Sequence, residues 1–247
     1  MTTLDGETII VTGASRGLGA SMANRFAREG ANVVVTARSE ADLEAVAADA
    51  ADAAGNTLVA PADVTDENAV RAVVDTTVEE YGTVTGLVNN AGIGLLNMYD
   101  EQRVLHEVNV DDFRQILDVN VTGVFLFSKY AVREMIDNGR GNVVNVSSGL
   151  GRRGAAKWGP YVASKWALEG MTRTQAAELE DHGIRVNAVD PGGRVETGFW
   201  DHLPESERNE ILEPDVMNDA ATRLLAQGPD GVTGESLPAT EWEQRLG

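Results

Sequence analysis

Thr8-Ile9-Ile10-Val11-Thr12-Gly13-Ala14-Ser15-Arg16-Gly17-Leu18-Gly19 opens as an unbroken apolar run, turns on glycine and passes into a helical stretch that continues to Glu29. The run Thr8 to Val11 shows no polar alternation, the pattern of a strand buried on both faces. Glycine permits a tight turn and close approach of a ligand to the backbone. The N-terminus of the next helix offers free amides and a positive dipole to a pyrophosphate. The spacing is Gly13-x3-Gly17-x-Gly19. A strand, a glycine turn and a helix in that order begin a doubly wound α/β sheet.

The same alternation continues outward. Strands are expected at Asn32 to Ala37, Thr57 to Pro61, Gly86 to Asn89, Asn142 to Val146 and Ile184 to Val189. Helices are expected at Glu40 to Ala54, Asp66 to Tyr81, Val110 to Asn138 and Gly159 to His182. Apolar strands alternating with helices predict a Rossmann-type, doubly wound parallel sheet of about seven strands, covered on both faces. With no linker or low-complexity segment, residues 1–247 read as a single catalytic domain. Two loop-like regions, 92–109 and 192–214, follow strand ends and are candidate substrate walls, because ligands of open α/β sheets bind there.

Composition excludes several partners. The 39 acidic and 20 basic residues give a net charge of -19, which repels phosphate backbones and anionic lipid surfaces. Neither nucleic acid nor a membrane is expected as a partner. Acidic excess spread along a chain with three lysines resembles the self-repelling surface of halophile proteins, so a salt-loving source is expected. The absence of cysteine removes disulfides and thiol chemistry, and His106, His182 and His202 lack paired ligand spacing, so no metal is expected. The acidic start of the chain and the lack of a long apolar run predict a cytoplasmic protein.

Chemistry concentrates between Ser147 and Lys165. Tyr161 and Lys165 stand four residues apart and so share one face of a helix. A phenol is a poor acid or base at neutral pH, and a neighbouring ammonium is expected to lower its pKa. At the end of the second strand the chain reads Thr36-Ala37-Arg38, with Ala37 where an acid would bind ribose hydroxyls. Arg38 with Arg16 would hold a 2'-phosphate, which favours NADP over NAD. Asp63 and Val64 would bind and stack an adenine, although Asp63 could equally cap the next helix.

Together these residues resemble the short-chain dehydrogenases/reductases, and within them the 3-oxoacyl thioester reductase type. The matching elements are Thr12 to Gly19, Asp63, Asn89-Asn90-Ala91-Gly92, Asn120, Ser148, Tyr161-x3-Lys165 and Pro191-Gly192. The resemblance implies hydride transfer between NADP or NAD and a carbonyl or secondary alcohol. It makes Tyr161 the acid/base, Lys165 its modulator and a ribose ligand, Ser148 the orienter of the substrate oxygen and Asn120 part of a proton relay. Ser148 is preferred to its neighbour Ser147, since successive strand residues face opposite ways. The implied cofactor contacts are Gly13, Ser15, Arg16, Gly17, Leu18, Gly19, Arg38, Asp63, Val64, Asn89, Ala91, Gly92, Tyr161, Lys165, Pro191, Gly192, Val195 and Thr197. Asn187 matches a position that supports the site's backbone. One extra residue separates Pro191-Gly192 from Val195 and Thr197, and the usual Asp-Gly-Gly ending is replaced by Pro238-Ala239-Thr240. A homotetramer or a dimer is expected, the latter through the helices 110–138 and 159–182. Met98, Trp158, Phe199 and Trp200 are candidates for an apolar substrate pocket. Alternative readings are an NAD-dependent dehydrogenase, an epimerase or dehydratase, and a non-catalytic dinucleotide-binding regulator.

Overall fold

Strands apolar on both faces need cover on both sides, and a computed structural model, which describes residues 3–196 and 211–247, shows how this chain supplies it. Seven parallel strands form one sheet: β1 (Thr8–Thr12), β2 (Asn32–Thr36), β3 (Asn56–Val59), β4 (Gly86–Asn89), β5 (Gly141–Val146), β6 (Ile184–Asp190) and β7 (Ser236–Pro238). Their order is β3-β2-β1-β4-β5-β6-β7. Every residue of β1, β4, β5 and β6 is buried. Alternate side chains feed two cores. Ile9, Val11, Val33 and Val35 pack with Met22 and Phe26 of α1 (Gly17–Arg28) and with Leu224 of α8 (Asn218–Leu225). Ile10, Val34, Leu87 and Val143 pack with Val70 and Val74 of α3 (Glu67–Tyr81) and with Phe127 and Met135 of α6 (Gly123–Asn138).

The expected elements are present, and three stretches differ by more than a shift of a few residues at an end. Helix α2 (Glu40–Asp49) stops short of Ala54. The chain must then descend to the start of β3, where Gly55 donates to the Ala27 carbonyl at 2.9 Å. A Cβ on Gly55 would lie 1.9 Å from the Ala31 carbonyl oxygen, so the segment packs too tightly there for a helix to continue. The helix expected over 110–138 is broken into α5 (Val110–Leu117), a π-helical turn (Asp118–Thr122) and α6. The break falls on Asn120, whose amide binds backbone outside the helix. The loop 92–109 contains a short helix, α4 (Leu95–Tyr99), and a 3-10 turn (Leu105–Glu107). It is tied to α5 through Asp112, which accepts from Tyr99 Oη at 2.7 Å and from Asn109 Nδ2 at 3.2 Å.

Helix α7 (Gly159–Leu179) packs on β6, reaches β5 through the bonds of Thr172 to Asn145 and of Lys165 to Val146, and ends in a 3-10 turn over Glu180–His182. The atypical C-terminus forms the short edge strand β7, ended by Pro238, and a last helix, α9 (Ala239–Leu246). Trp242 of α9 is fully buried and its indole N–H donates to the Ala188 carbonyl at 2.9 Å. Among the described residues, no helix is long and apolar enough to cross a membrane.

Candidate active site

Strands β1 and β4 are neighbours although β2 and β3 intervene in sequence, so the chain reverses direction across the sheet between them. A crevice opens at such a point beyond the carboxyl ends of the strands. A cleft of about 1400 Å³ lies there, and Gly13, Asp63, Gly92, Ser148, Tyr161 and Pro191 are among the residues around it.

The glycine turn forms one wall. Gly13 and Gly17 have φ of 64° and 57°, in the left-handed region that favours glycine. A Cβ on Gly13 would stand 2.8 Å from Ala91 Cα, and one on Gly19 would stand 2.4 Å from the Gly13 carbonyl oxygen. Gly19 therefore serves close packing of α1 on the turn. Thr12 Oγ1 accepts from the backbone of Asn90 and Ala91 at 3.0 and 3.1 Å, and Asn90 Nδ2 donates to the carbonyls of Thr12 and Gly13 at 2.9 and 3.1 Å. These four bonds lock the ends of β1 and β4 together. Arg16, the N-cap of α1, makes no side-chain cap bond to the helix. Ser15, Arg16 and Leu18 border the cleft at this helix N-terminus, and the donor set fits a dinucleotide pyrophosphate.

Arg38, Asp63 and Val64 border the same cleft beyond β2 and β3, joined by Ser39 and Asp42, which sequence reasoning missed. Asp66, not Asp63, caps α3 by accepting from the amides of Asn68 and Ala69. Asp63 Oδ1 instead accepts from Thr65 N and Oγ1 at 2.9 and 2.7 Å. The hydrogen bond from the Thr65 amide is the main force holding the Asp63 carboxyl below its ordinary pKa, and the Arg38 guanidinium adds to it.

Asn89 corrects an expectation. Its side chain is buried and donates to Asn145 Oδ1 at 2.9 Å and to Ser128 Oγ at 3.3 Å, away from the cleft, whose wall is formed by Asn90, Ala91 and Gly92. Strand residues alternate in facing, and at the end of β4 the second asparagine holds the turn.

At the opposite end β5 delivers two serines with opposite facing. Ser147 Oγ points into the protein and donates to Glu169 Oε1 at 2.5 Å. Ser148 borders the cleft and hydrogen-bonds Tyr161. Tyr161 and Lys165 lie on consecutive turns of α7, with Lys165 Nζ 5.5 Å from the phenol ring centroid and donating to the Val146 carbonyl at 2.8 Å. Burial pushes the Tyr161 phenol up to about 12, against the lowering effect of its hydrogen bond with Ser148, and the Asp190 carboxylate adds to the rise. Burial brings Lys165 down to about 8, and Glu169 opposes the fall. The depression of the phenol expected from Lys165 does not appear: removal of the phenol from water raises it, and the lowering comes from the hydrogen bond with Ser148.

Asn120 sits in the π-turn. Its Oδ1 accepts from Ile93 N at 2.8 Å, and its Nδ2 donates to Ile93 O and to Ser164 Oγ, each at 2.9 Å. It pins the chain beside Gly92 against α7. A Cβ on Gly92 would lie 3.5 Å from Asn120 Oδ1 and 3.8 Å from Lys165 Nζ, so amide and ammonium flank the same glycine.

The Pro191-Gly192 turn forms the remaining wall. Gly192 has φ of 76° and its amide donates to Asp190 Oδ1 at 2.8 Å. Val195 borders the cleft and pairs with Leu212 in an isolated bridge. Thr197, Phe199 and Trp200 lie outside the described residues, while Met98 and Trp158 border the cleft. Asn187 holds the connection into β7, donating to Val232 O at 2.7 Å and accepting from Glu235 N at 3.2 Å. Among the described residues, no group of three or more His, Asp or Glu side chains could hold a metal ion.

A family model described as short chain dehydrogenase matches residues 7–208. The chain is 36% identical to 2,5-dichloro-2,5-cyclohexadiene-1,4-diol dehydrogenase of Sphingobium indicum, over 97% of each chain. It is 36% identical to a 3-oxoacyl-(acyl-carrier-protein) reductase of Thermotoga maritima, over 85% of this chain and 82% of that protein. The crystal structure of carveol dehydrogenase from Mycobacterium avium in complex with NAD superposes with a TM-score of 0.88 at 28% identity, covering 96% of this chain and 97% of that one.

Proposed function

Since this chain belongs to the short-chain dehydrogenase/reductase family, an NAD(P)-dependent group of oxidoreductases, we propose that it is an NADP-preferring enzyme acting on a small carbonyl compound or secondary alcohol. The observation that carries this reading is the convergence of Ser148, Tyr161 and Lys165 at one end of a cleft whose other end is the glycine turn. When bound, a nicotinamide dinucleotide supplies the hydride acceptor or donor. The chain's own residues do the rest. The amides at the start of α1 bind the pyrophosphate, and Val64 and Asp63 hold the adenine. The Tyr161 hydroxyl donates its proton to the carbonyl oxygen in reduction and takes it back in oxidation. Ser148 Oγ donates to the same oxygen and fixes its position as negative charge develops. Lys165, cationic below about pH 8, stabilises the phenolate left when the proton departs. Asn120 holds the chain beside Gly92 through its bonds to Ile93 and would complete a proton relay by holding a water that links Lys165 to solvent.

Tyr161→Phe tests this assignment. Turnover should fall about 100- to 10,000-fold while dinucleotide binding, followed by fluorescence or calorimetry, is retained. Near wild-type turnover would sink it.

NADP preference rests on Arg16 and Arg38 at the adenosine end. Asp42, at the same end, supports the second reading, NAD, because a carboxylate there could accept from ribose hydroxyls. Arg38→Ala separates them. If a 2'-phosphate is bound, the KM for NADPH rises roughly 10- to 100-fold and that for NADH stays put. Equal effects on both would favour NAD.

A further inference from the structure

Behind the reaction centre lies a charged cluster that the acid/base chemistry does not use. Glu169 and Asp190 have side chains 4% and 3% exposed. Glu169 Oε1 accepts from Ser147 Oγ at 2.5 Å and from Ser236 Oγ at 2.8 Å, and Arg152 Nη1 lies 3.5 Å away. Arg152 Nη1 also donates to Ser236 Oγ at 2.7 Å, while Nη2 donates to Asp190 Oδ2. Asp190 Oδ1 accepts from the Gly192 amide. Glu169 Oε2 is buried without a hydrogen bond, with only the exposed Arg173 at 3.9 Å.

Each member is one to four residues from a group assigned a role above. Ser147 adjoins Ser148, Arg152 is four residues beyond it, Glu169 is one helical turn past Lys165, and Asp190 adjoins Pro191-Gly192. A buried ion cluster is poor evidence of added stability, because apolar side chains of similar volume often serve as well. Two buried carboxylates sharing mainly one guanidinium do impose geometry and leave a negative field.

We propose that Glu169, Arg152 and Asp190 form a positioning network that fixes Ser148, Tyr161 and Lys165 against the Pro191-Gly192 turn and sets the charge that Tyr161 faces. The functional half rests on the acid/base reading of Tyr161. Ser148 at the end of β5 hydrogen-bonds Tyr161, Lys165 of the same helix lies 5.5 Å from its ring centroid, and Asp190 at the end of β6 borders the same cleft and adds its negative charge. Trp158 meets its ring edge-on at 5.7 Å. Arg152 stands behind Asp190, and Asp100, Arg153, Lys157 and Arg194 border the same cleft. Arg152 therefore shields Tyr161 from Asp190, and removing either partner pushes the phenol in opposite directions.

The test is the titration of Tyr161 in the full-length protein without cofactor, read by NMR of isotope-labelled tyrosine. The chain has four tyrosines, and Tyr161→Phe identifies the signal. Asp190→Asn should bring the titration to lower pH than in the wild type, Arg152→Gln should carry it higher, and Arg152→Lys should return it towards the wild type. The pH profile of alcohol oxidation should move in the same order, with kcat of Arg152→Gln down by up to about 100-fold and KM little changed. Asp190→Asn and Arg152→Gln moving together, or neither moving, would overturn the proposal. If Arg152→Gln does not fold, Asp190→Asn and Arg152→Lys carry the same test. Opposed shifts in an inactive wild type would uphold the network's field and refute the acid/base reading. Normal turnover without shifts would do the reverse.

Discussion

Burial pushes the Tyr161 phenol up to about 12 and the Lys165 ammonium down to about 8, so the proposed reaction should respond to rising pH through the lysine first. On the proposed mechanism, carbonyl reduction needs the proton on Tyr161, which is present at every ordinary pH, and positive charge on Lys165, which is lost first as pH rises. Reduction should therefore be flat below about pH 8 and fall above it, with the limb belonging to Lys165. A rate-pH profile of NADPH oxidation with a reducible carbonyl checks this. A profile that stays flat well past that pH would mean that the ammonium is not needed. The pair Tyr161 and Lys165 was legible in the sequence because helical spacing alone makes them neighbours. The cluster of Glu169, Arg152 and Asp190 was not, since its members come from separate elements and meet only when β5, β6, β7 and α7 assemble. The preference for Ser148 over Ser147 lies between these cases: strand alternation predicts opposite facing, and both residues border the cleft while Ser147 Oγ is engaged with Glu169.

At the level of elements, the strands were readable because burial on both faces leaves only apolar residues, and the parallel order follows from helices between them. Helix ends and interruptions were less so. The π-turn at Asn120 has no composition of its own, and its cause is a tertiary contact, the bonds from Asn120 to Ile93. The departure at the C-terminus also gains a physical reason. Its replacement sequence puts Trp242, fully buried, against the edge of the sheet, with its indole N–H satisfied by Ala188 of β6. That ring closes one core from the side of β7, an edge strand of three residues. Trp242→Ala leaves a cavity and removes the indole bond to the Ala188 carbonyl, and should cost about 3–5 kcal/mol in denaturant-induced unfolding. Because Trp242 anchors the segment that also carries Ser236, the variant should loosen the Glu169 cluster too. A loss below about 1 kcal/mol would show that α9 is not part of the cooperative fold.

Over the whole molecule the dominant fact is charge. A net charge of -19 on 247 residues makes both folding and self-association work against repulsion. Yet Phe125 of α6 and Trp166 of α7 are 50% and 53% exposed, on the two helices expected to meet a second copy. Large apolar side chains at such positions suit an interface between copies. The two features together make salt the controlling variable. Raising ionic strength from 0.1 M to 1 M shortens the screening length from about 10 Å to about 3 Å, which removes most repulsion between surface carboxylates and little of the attraction in buried pairs. Unfolding temperature and sedimentation coefficient should therefore rise together as KCl is increased, each kcal/mol of relieved repulsion raising the midpoint by about 2–4 °C. Phe125→Glu with Trp166→Glu should abolish the rise in sedimentation and leave the monomer's own salt-dependent stabilisation in place. A midpoint indifferent to molar KCl would show that the acidic surface is not an adaptation to salt. A species that sediments alike at all salt concentrations, with or without those substitutions, would remove α6 and α7 as the contact between copies.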